Sequence, residues 1–258
     1  MSADQKAVLE VDKLSKSFGG VKAISNFSFQ LYEGEILGLI GPNGSGKSTT
    51  VNVLAGIYPA TSGDLHLDGK SLQKMPDHER VRQGLARTFQ TTKTFPDFTV
   101  REQITLGCHT TLRSHPIASV LGSKRNSSEQ ARTDLHVQRV LEISRLSHLA
   151  DNKVVTISSA EQRFLMIATA LASGPKVLLL DEPAAGLVSH ERDTLCQMIK
   201  SIRDNGISVL VIEHHMALIM EVCDRIAVLN FGSMIAEGTP ADIRNNQAVI
   251  DAYLGEAA

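Results

Sequence analysis

The segment Gly41-Pro42-Asn43-Gly44-Ser45-Gly46-Lys47-Ser48-Thr49 constrains this chain more than any other. It fits the spacing G-x-x-x-x-G-K-[S/T], follows the apolar run Ile36 to Ile40, and opens a helix-like run from Lys47 to Ala55. A strand, a glycine-rich turn and a helix in that order predict a loop whose backbone N–H groups close around phosphate oxygens. The helix N-terminus adds partial positive charge. In such a loop Lys47 neutralises the β- and γ-phosphates of a nucleotide and the Ser48 hydroxyl ligates Mg²⁺. Gly41, Asn43, Gly44, Ser45, Gly46 and Thr49 complete the candidate cradle.

Two further apolar runs end in polar residues. Val177-Leu-Leu-Leu-Asp181-Glu182 reads as a strand buried on both faces, since such strands are continuously aliphatic. Ligands of open α/β sheets bind at the strands' carboxyl ends. That placement puts Asp181 near Mg²⁺, through water, and leaves Glu182 to polarise an attacking water. Val209-Leu-Val-Ile-Glu213-His214-His215 is the second run. A histidine at its tip can hydrogen-bond a γ-phosphate and so tell a triphosphate from a diphosphate; of the two histidines one is the candidate and the other a bystander.

Strand-like runs at Val8–Val11, Phe27–Leu31 and Glu35–Ile40 alternate with turns at Gly19-Gly20, Glu33-Gly34 and Asp68-Gly69. From about Phe95 to Asn152 the character is helical, with a surface loop from Arg113 to Ser128. A helix carrying Val137, Val140, Leu141 and Ser144 on one face follows it, with Ser127 or Ser128 as N-cap. Strands return at Val177–Leu180, Ile207–Ile212 and Arg225–Asn230, alternating with helices. The alternation predicts a parallel sheet covered on both faces and interrupted by a helical insertion.

Composition narrows the function. The 258 residues carry 26 Lys+Arg against 28 Asp+Glu, a net charge of −2, which lacks the basic excess of a phosphate-backbone binder. Aromatic residues are 4% with no Trp, which argues against a base-stacking platform for single strands. The longest apolar stretches fall far short of the roughly 18–20 residues that cross a bilayer. With no signal-like segment in MSADQKAVLEVDK, the expectation is a soluble, unexported protein. Cys108, Cys196 and Cys223 are scattered and odd in number, which fits idle thiols in a reducing compartment.

These parts, in this order, resemble the ATP-binding subunit of an ABC transporter over essentially the whole chain. The resemblance implies an α/β fold: a P-loop NTPase core of mostly parallel sheet with flanking helices, an N-terminal antiparallel β subdomain and an inserted helical subdomain. It implies one ABC ATPase domain over 1–258, with 1–90 and 164–258 as nucleotide-binding core and 91–163 as the helical insertion. Phe18, in Ser17-Phe18-Gly19-Gly20, falls where the family stacks an aromatic on adenine. Gln90, in Arg87-Thr88-Phe89-Gln90, matches the Q-loop, which in the family senses Mg²⁺ and contacts the membrane subunit. His214 matches the switch histidine, and Ala184-Ala185-Gly186-Leu187 the D-loop. Within the superfamily the likeness is greatest to ATPases of branched-chain amino acid importers. It is carried by Asp181-Glu182-Pro-Ala-Ala-Gly186, Ile212-Glu213-His214, Cys223-Asp-Arg-Ile226, Ile235-Ala-Glu-Gly-Thr-Pro240 and Val249-Ile-Asp-Ala-Tyr-Leu-Gly255. Urea/amide and lipopolysaccharide transport ATPases look similar.

One stretch departs from the pattern. The family signature L-S-G-G-Q, often L-S-Y-G-Q-Q-R in this subfamily, corresponds to Ile157-Ser158-Ser159-Ala160-Glu161-Gln162-Arg163. Ser158 fits. Ala160 replaces a glycine that lets backbone approach phosphate, where even a methyl group can obstruct. Glu161 replaces an amide with a negative charge beside a nucleotide; at about 5 Å and an effective dielectric of ~20 that repulsion is worth roughly 3 kcal/mol. In the family the signature closes over ATP held by a second subunit. The resemblance therefore implies an intact site on this chain's own phosphate loop and a weakened one under its signature, an asymmetry that favours a heterodimer of related ATPases over a homodimer.

The reading is an ATP- and Mg²⁺-dependent ATPase, cytoplasmic and peripheral on the inner face of a membrane. Its partners are transmembrane permease subunits, a second ATPase subunit and, indirectly, an external substrate-binding protein; nucleic acid is not among them. Two rivals stand beside it: a superfamily member acting in translation or DNA repair, and a regulatory subunit that binds ATP but barely hydrolyses it. Glu182→Gln separates the last from a motor. Turnover measured on the purified variant is expected to collapse, and unchanged turnover would favour the regulatory reading.

Overall fold

The computed structural model describes residues 5–88, 94–108 and 124–254. The chain opens with β1 (Ala7–Phe18), β2 (Val21–Tyr32), β3 (Ile36–Ile40) and α1 (Lys47–Leu54). β4 (Ser62–Leu67), β5 (Lys70–Ser71), α2 (Asp77–Gln83) and β6 (Leu85–Arg87) follow. Helices α3 (Val100–Gly107), α4 (Lys124–Ile143) and α5 (Ser159–Leu171) stand between β6 and β7 (Val177–Asp181). The remainder alternates: α6 (Ser189–Asp204), β8 (Ser208–Ile212), α7 (Met216–Val222), β9 (Arg225–Asn230) and β10 (Ser233–Gly238), ending in α8 (Pro240–Arg244) and α9 (Gln247–Leu254).

Every residue of β3, β7 and β8 is buried, and the alternation of a strand decides which core each side chain joins. Ile36 and Ile40 of β3, Leu178 and Leu180 of β7 and Val209 and Val211 of β8 pack against the helices. Their neighbours Leu37 and Leu39, Val177 and Leu179, and Leu210 and Ile212 pack in a second core with Val51, Val53 and Leu54 of α1 and with Leu9, Phe27 and Leu31 of the N-terminal strands. The six-stranded sheet runs β10-β9-β3-β8-β7-β6. It is parallel except for β10, which returns antiparallel to β9. A separate four-stranded antiparallel sheet, β2-β1-β4-β5, covers the second core. The α/β class, the two-faced parallel sheet and the antiparallel N-terminal sheet expected from the sequence are all present.

A buried arginine and a partly buried one hold these layers to the phosphate-loop helix and to each other. Arg80 of α2, only 3% exposed, donates Nη1 to the carbonyls of Val53 and Leu54 at 2.7 Å each, and Nε to that of Met75 at 2.9 Å. It satisfies the last carbonyls of α1 and places positive charge at the negative end of that helix's dipole; burial lowers its pKa. Arg225 at the start of β9 meets Glu35 with Nε at 2.8 Å and Nη2 at 3.1 Å, and also bonds Glu237 and the Gln30 carbonyl. Glu35 in turn accepts the Tyr32 N–H at 2.8 Å, so one carboxylate joins the antiparallel sheet to the parallel one.

The sequence reading needs two local corrections. Helix α4 begins at Lys124, so Ser127 and Ser128 lie inside it rather than before it, and the loop expected over Arg113 to Ser128 does not extend over 124–128, while 113–123 lie outside the described residues. The apolar periodicity starts only where α4 meets the core at Val137, Val140 and Leu141, and a polar extension of a helix carries no such signal. β1 and β2 are also longer than their buried runs, because their far ends pair with each other from Lys16 to Phe18 over the Gly19-Gly20 turn.

The Glu35–Arg225 pair gives a stability prediction. Glu35→Ala leaves the partly buried Arg225 with Glu237 alone and removes the acceptor of the Tyr32 N–H, and is expected to lower unfolding stability by about 2 kcal/mol. Urea unfolding of the variant, with Glu35→Ala/Arg225→Met regaining part of the loss, checks it.

Candidate functional site

The carboxyl ends of β3, β8 and β7, adjacent in the sheet, deliver the chemistry-bearing residues to one edge. After β3 the chain turns through Gly41 to Gly46 into α1. Gly41 has φ 150°, and a Cβ there would stand 2.0 Å from the Leu229 carbonyl oxygen; at Gly46, φ 105°, it would stand 2.4 Å from that of Ala23. Neither position admits a side chain, so the backbone itself forms the curl. Gly232 in the β9–β10 turn donates its N–H to the Ser45 carbonyl at 2.9 Å and accepts that of Ser25 at 2.8 Å, tying the loop to both sheets.

Within the curl Ser45 is buried and the Lys47 ammonium donates to the carbonyls of Gly41 and Pro42 at 2.6 and 2.8 Å, and to Ser45 Oγ at 3.4 Å. Asn43, Gly44 and Ser48 are exposed and Thr49 is half-buried, on the open side. A loop whose first and last glycines are too crowded for a Cβ, with an ammonium held at its centre and a helix starting at Lys47, is built to accept an anion. The groups at this edge that could face a divalent cation are the Ser48 hydroxyl and, directly or through water, the Asp181 carboxylate. Both are hard oxygen groups, and among the described residues no group of three or more His, Cys, Asp or Glu could hold a metal ion. That set fits Mg²⁺, which takes one or two protein oxygens together with phosphate oxygens.

Asp181 closes β7 and is 7% exposed. Its Oδ2 accepts from Arg87 Nη2 at 2.7 Å, and Arg87 Nη1 donates to Asn52 Oδ1 on α1, also at 2.7 Å. The next residue, Glu182, sits at φ 47°, a left-handed conformation that costs a side-chain-bearing residue about 1 kcal/mol. Bonds on both sides hold it there. Its N–H donates to the Ile212 carbonyl at 2.9 Å, and its carbonyl accepts from Arg163 Nη1 at 3.3 Å. The kinked backbone leaves the side chain one-third exposed, with Oε1 3.9 Å from Nδ1 of His214. His214 itself is exposed; His215 stands apart as the N-cap of α7.

Glu213 is a residue the sequence reading passed over. Fully buried between the two tips, its Oε1 accepts the Ala184 N–H at 2.6 Å, and Oε2 those of His214 and His215 at 3.2 and 3.3 Å. It locks the turn after Glu182 to the turn carrying His214. An acid directly after the aliphatic run Val209–Ile212 was the available signal, since a carboxylate there needs partners.

Phe18 lies at the end of β1, 44% exposed, with its ring edge-on to Tyr58 at 5.3 Å and Lys16 Nζ 4.8 Å from its centroid. Gln90 lies outside the described residues. Ser158 is exposed and is the N-cap of α5, its Oγ accepting the Glu161 N–H at 3.2 Å while Glu161 Oε2 accepts the Ser158 N–H at 2.7 Å. This reciprocal capping box turns the Glu161 carboxylate onto its own helix terminus. The steric expectation for Ala160 is not met: Ala160 is 6% exposed and packs into the helical core, where a methyl group adds apolar contact. The cysteines are buried, and burial pushes the Cys108 thiol up to about 11, Cys196 up to about 12 and Cys223 higher still, far from thiolate chemistry. No described helix is long and apolar enough to cross a membrane.

Comparison with known proteins gives a consistent picture. The ABC transporter family profile matches residues 24–185, and a profile for the branched-chain amino acid ATP-binding cassette transporter matches residues 233–258. The high-affinity branched-chain amino acid transport ATP-binding protein BraF of Pseudomonas aeruginosa is 37% identical over 253 residues, covering 98% of this chain and 99% of the relative. LivG of Escherichia coli, similarly described, is 38% identical over 253 residues, 97% and 98% of the two chains. The lipopolysaccharide export system ATP-binding protein LptB of Haemophilus influenzae is 32% identical over 250 residues, 97% and 98%. A crystal structure of the ADP conformation of an ATP-binding cassette of an ABC transporter superposes with a TM-score of 0.83 at 28% identity, covering 97% and 99%.

Glu213 yields the prediction from this geometry. Glu213→Ala strands the buried Ala184 N–H and removes the acceptor of two partly buried ones, and is expected to cost about 2 kcal/mol of stability. Faster amide exchange at Ala184 and His214, measured by NMR, is the local signature.

Proposed function

The chain belongs to the ABC transporter family of ATPase cassettes, which couple ATP hydrolysis to transport, and from that premise we propose that it drives an importer of branched-chain or related amino acids. The cargo class rests on the C-terminal profile match and on the printed descriptions of BraF and LivG. The likeness to LptB makes lipopolysaccharide export the rival cargo.

One observation carries the catalytic reading: the phosphate loop, His214 and Glu182 leave the ends of three adjacent strands, with Glu182 Oε1 and His214 Nδ1 3.9 Å apart. In this reading the backbone from Gly41 to Thr49 binds the phosphates and Lys47 leaves its loop carbonyls to pair with the β- and γ-phosphates. Phe18 stacks on adenine, its ring backed by Tyr58 and Lys16. Glu182 orients a water in line with the γ-phosphate and accepts its proton, while His214 hydrogen-bonds the γ-phosphate. Ser48, Asp181 and Gln90 would hold Mg²⁺, which when bound offsets phosphate charge. The domain plan that serves this is a single cassette over 1–258. Gln90 and the segment 91–101 at the start of the helical insertion 91–163 transmit closure to a permease subunit. The protein then sits on the inner face of the membrane, with an external substrate-binding protein selecting cargo.

The signature segment supports a heterodimer. The Glu161 carboxylate stays within 2.7 Å of the Ser158 N–H, at the helix terminus that would meet another subunit's γ-phosphate. Its negative charge opposes that approach, whereas Ala160 no longer counts against it. A second ATPase subunit with an intact signature would complete the site on this chain.

The test is MgATP turnover and ATP-dependent self-association of the purified chain, with Glu182→Gln as the hydrolysis-deficient control. A monomer with weak turnover is expected, and Glu161→Gln is expected to promote ATP-dependent dimers in the Glu182→Gln background. Fast turnover by a homodimer of the unaltered chain would overturn the heterodimer reading.

A further inference from the structure

Arg87 and Asp181 lie 94 positions apart in the chain, yet their side chains meet at 2.7 Å and are 11% and 7% exposed. The guanidinium does not stop there. Its other terminal nitrogen reaches Asn52 on α1, so one rigid fork spans β6, β7 and the phosphate-loop helix. The backbone repeats the link. Thr88 donates its N–H to the Leu179 carbonyl at 3.0 Å, and its hydroxyl accepts the Asp181 N–H at 3.4 Å. Asp181 Oδ1 carries no bond among the described residues, so the fork leaves one oxygen of the carboxylate engaged and the other available.

We propose that Arg87 is a positioning residue of the nucleotide site, which fixes Asp181 by one oxygen against α1 so that the other faces the metal. This rests on the reading of Asp181 as a metal-site carboxylate. A buried carboxylate free to rotate loses much of its value as a ligand, because orientation is part of what a metal site supplies. A buried carboxylate without a counter-charge is also costly, and the guanidinium meets that cost before any cation arrives. With its charge already matched, the site has little affinity for a bare divalent ion. It takes the ion together with phosphate oxygens, in keeping with the lack of a self-sufficient metal cluster among the described residues. Lysine does not substitute for the fork, since a single ammonium lacks the two parallel donors that reach Asn52 and Asp181 together.

The test is Mn²⁺ binding to the full-length chain in the presence of a non-hydrolysable ATP analogue, read by electron paramagnetic resonance of the free ion. Arg87→Ala is expected to weaken Mn²⁺ binding about tenfold, with Arg87→Lys and Asn52→Ala each weakening it by about threefold. Affinity of the nucleotide analogue without metal is expected to stay near the native value in all three. Should Arg87→Ala fold poorly, the other two variants keep the comparison. Asp181→Asn is the control. If it loses the metal while the Arg87 and Asn52 variants bind Mn²⁺ as the native chain does, Arg87 is merely structural and the proposal falls. If Asp181→Asn itself binds Mn²⁺ normally, the metal reading of Asp181 falls and takes the proposal with it.

Discussion

Burial of both faces of the central strands β3, β8 and β7 is the constraint from which the rest of the molecule follows. A strand with an apolar core on each side has no place for a polar group along its length, so polar residues gather at its ends. Parallel pairing then brings like ends to one edge. The glycine turn after β3, the histidine tip after β8 and the two acids closing β7 meet there because the strands are neighbours, although the residues are far apart in the chain. The second core, shared with the antiparallel sheet, anchors α1 beneath that edge.

At the edge itself, charged groups divide into those already satisfied and those left available. Lys47 rests on its own loop carbonyls, Asp181 on Arg87, and Glu213 on three backbone amides. Asp181 and Glu213 need little rearrangement to hold their positions, which is the sense in which a site is preorganised, whereas the Lys47 ammonium is held at the loop until it exchanges those carbonyls for an anion. Glu182 and His214 differ. Both are partly exposed, at 34% and 64%, and they face each other at a separation longer than a hydrogen bond. The left-handed backbone at Glu182, held by Ile212 and Arg163, keeps its carboxylate out of the scaffold that immobilises its neighbours.

The N-terminus of α5 shows how a charged residue in the signature segment is accommodated by the fold. A glutamate three residues after Ser158 completes a capping box and suits the helix well. Under the proposed function the same carboxylate would oppose a second subunit's phosphate at that terminus. In the proposed assembly local stability and association pull in opposite directions on Glu161, and the proposed heterodimer would reconcile them by assigning the active signature to the other subunit.

Much of this was readable from short stretches of chain. The phosphate loop, the aliphatic strands with polar tips, the turn glycines and the helical insertion depend on local geometry and on burial, both of which leave periodic or fixed-spacing patterns. Contacts between distant residues leave none. Arg225 meets Glu35 across 190 positions and Arg80 caps α1 from 26 positions away, and each reads in sequence as one more surface cation. The same holds for Arg87 on Asp181 and for Glu213 beneath its two turns. The direction of the Ala160 methyl, inward rather than toward a phosphate, depended on how α5 rolls against the helical core. Spacing in the chain therefore settled which chemistry is present and on which elements it sits. Packing in three dimensions settled which charges are already paired, because a counter-charge is chosen by proximity after folding and not by neighbourhood in sequence.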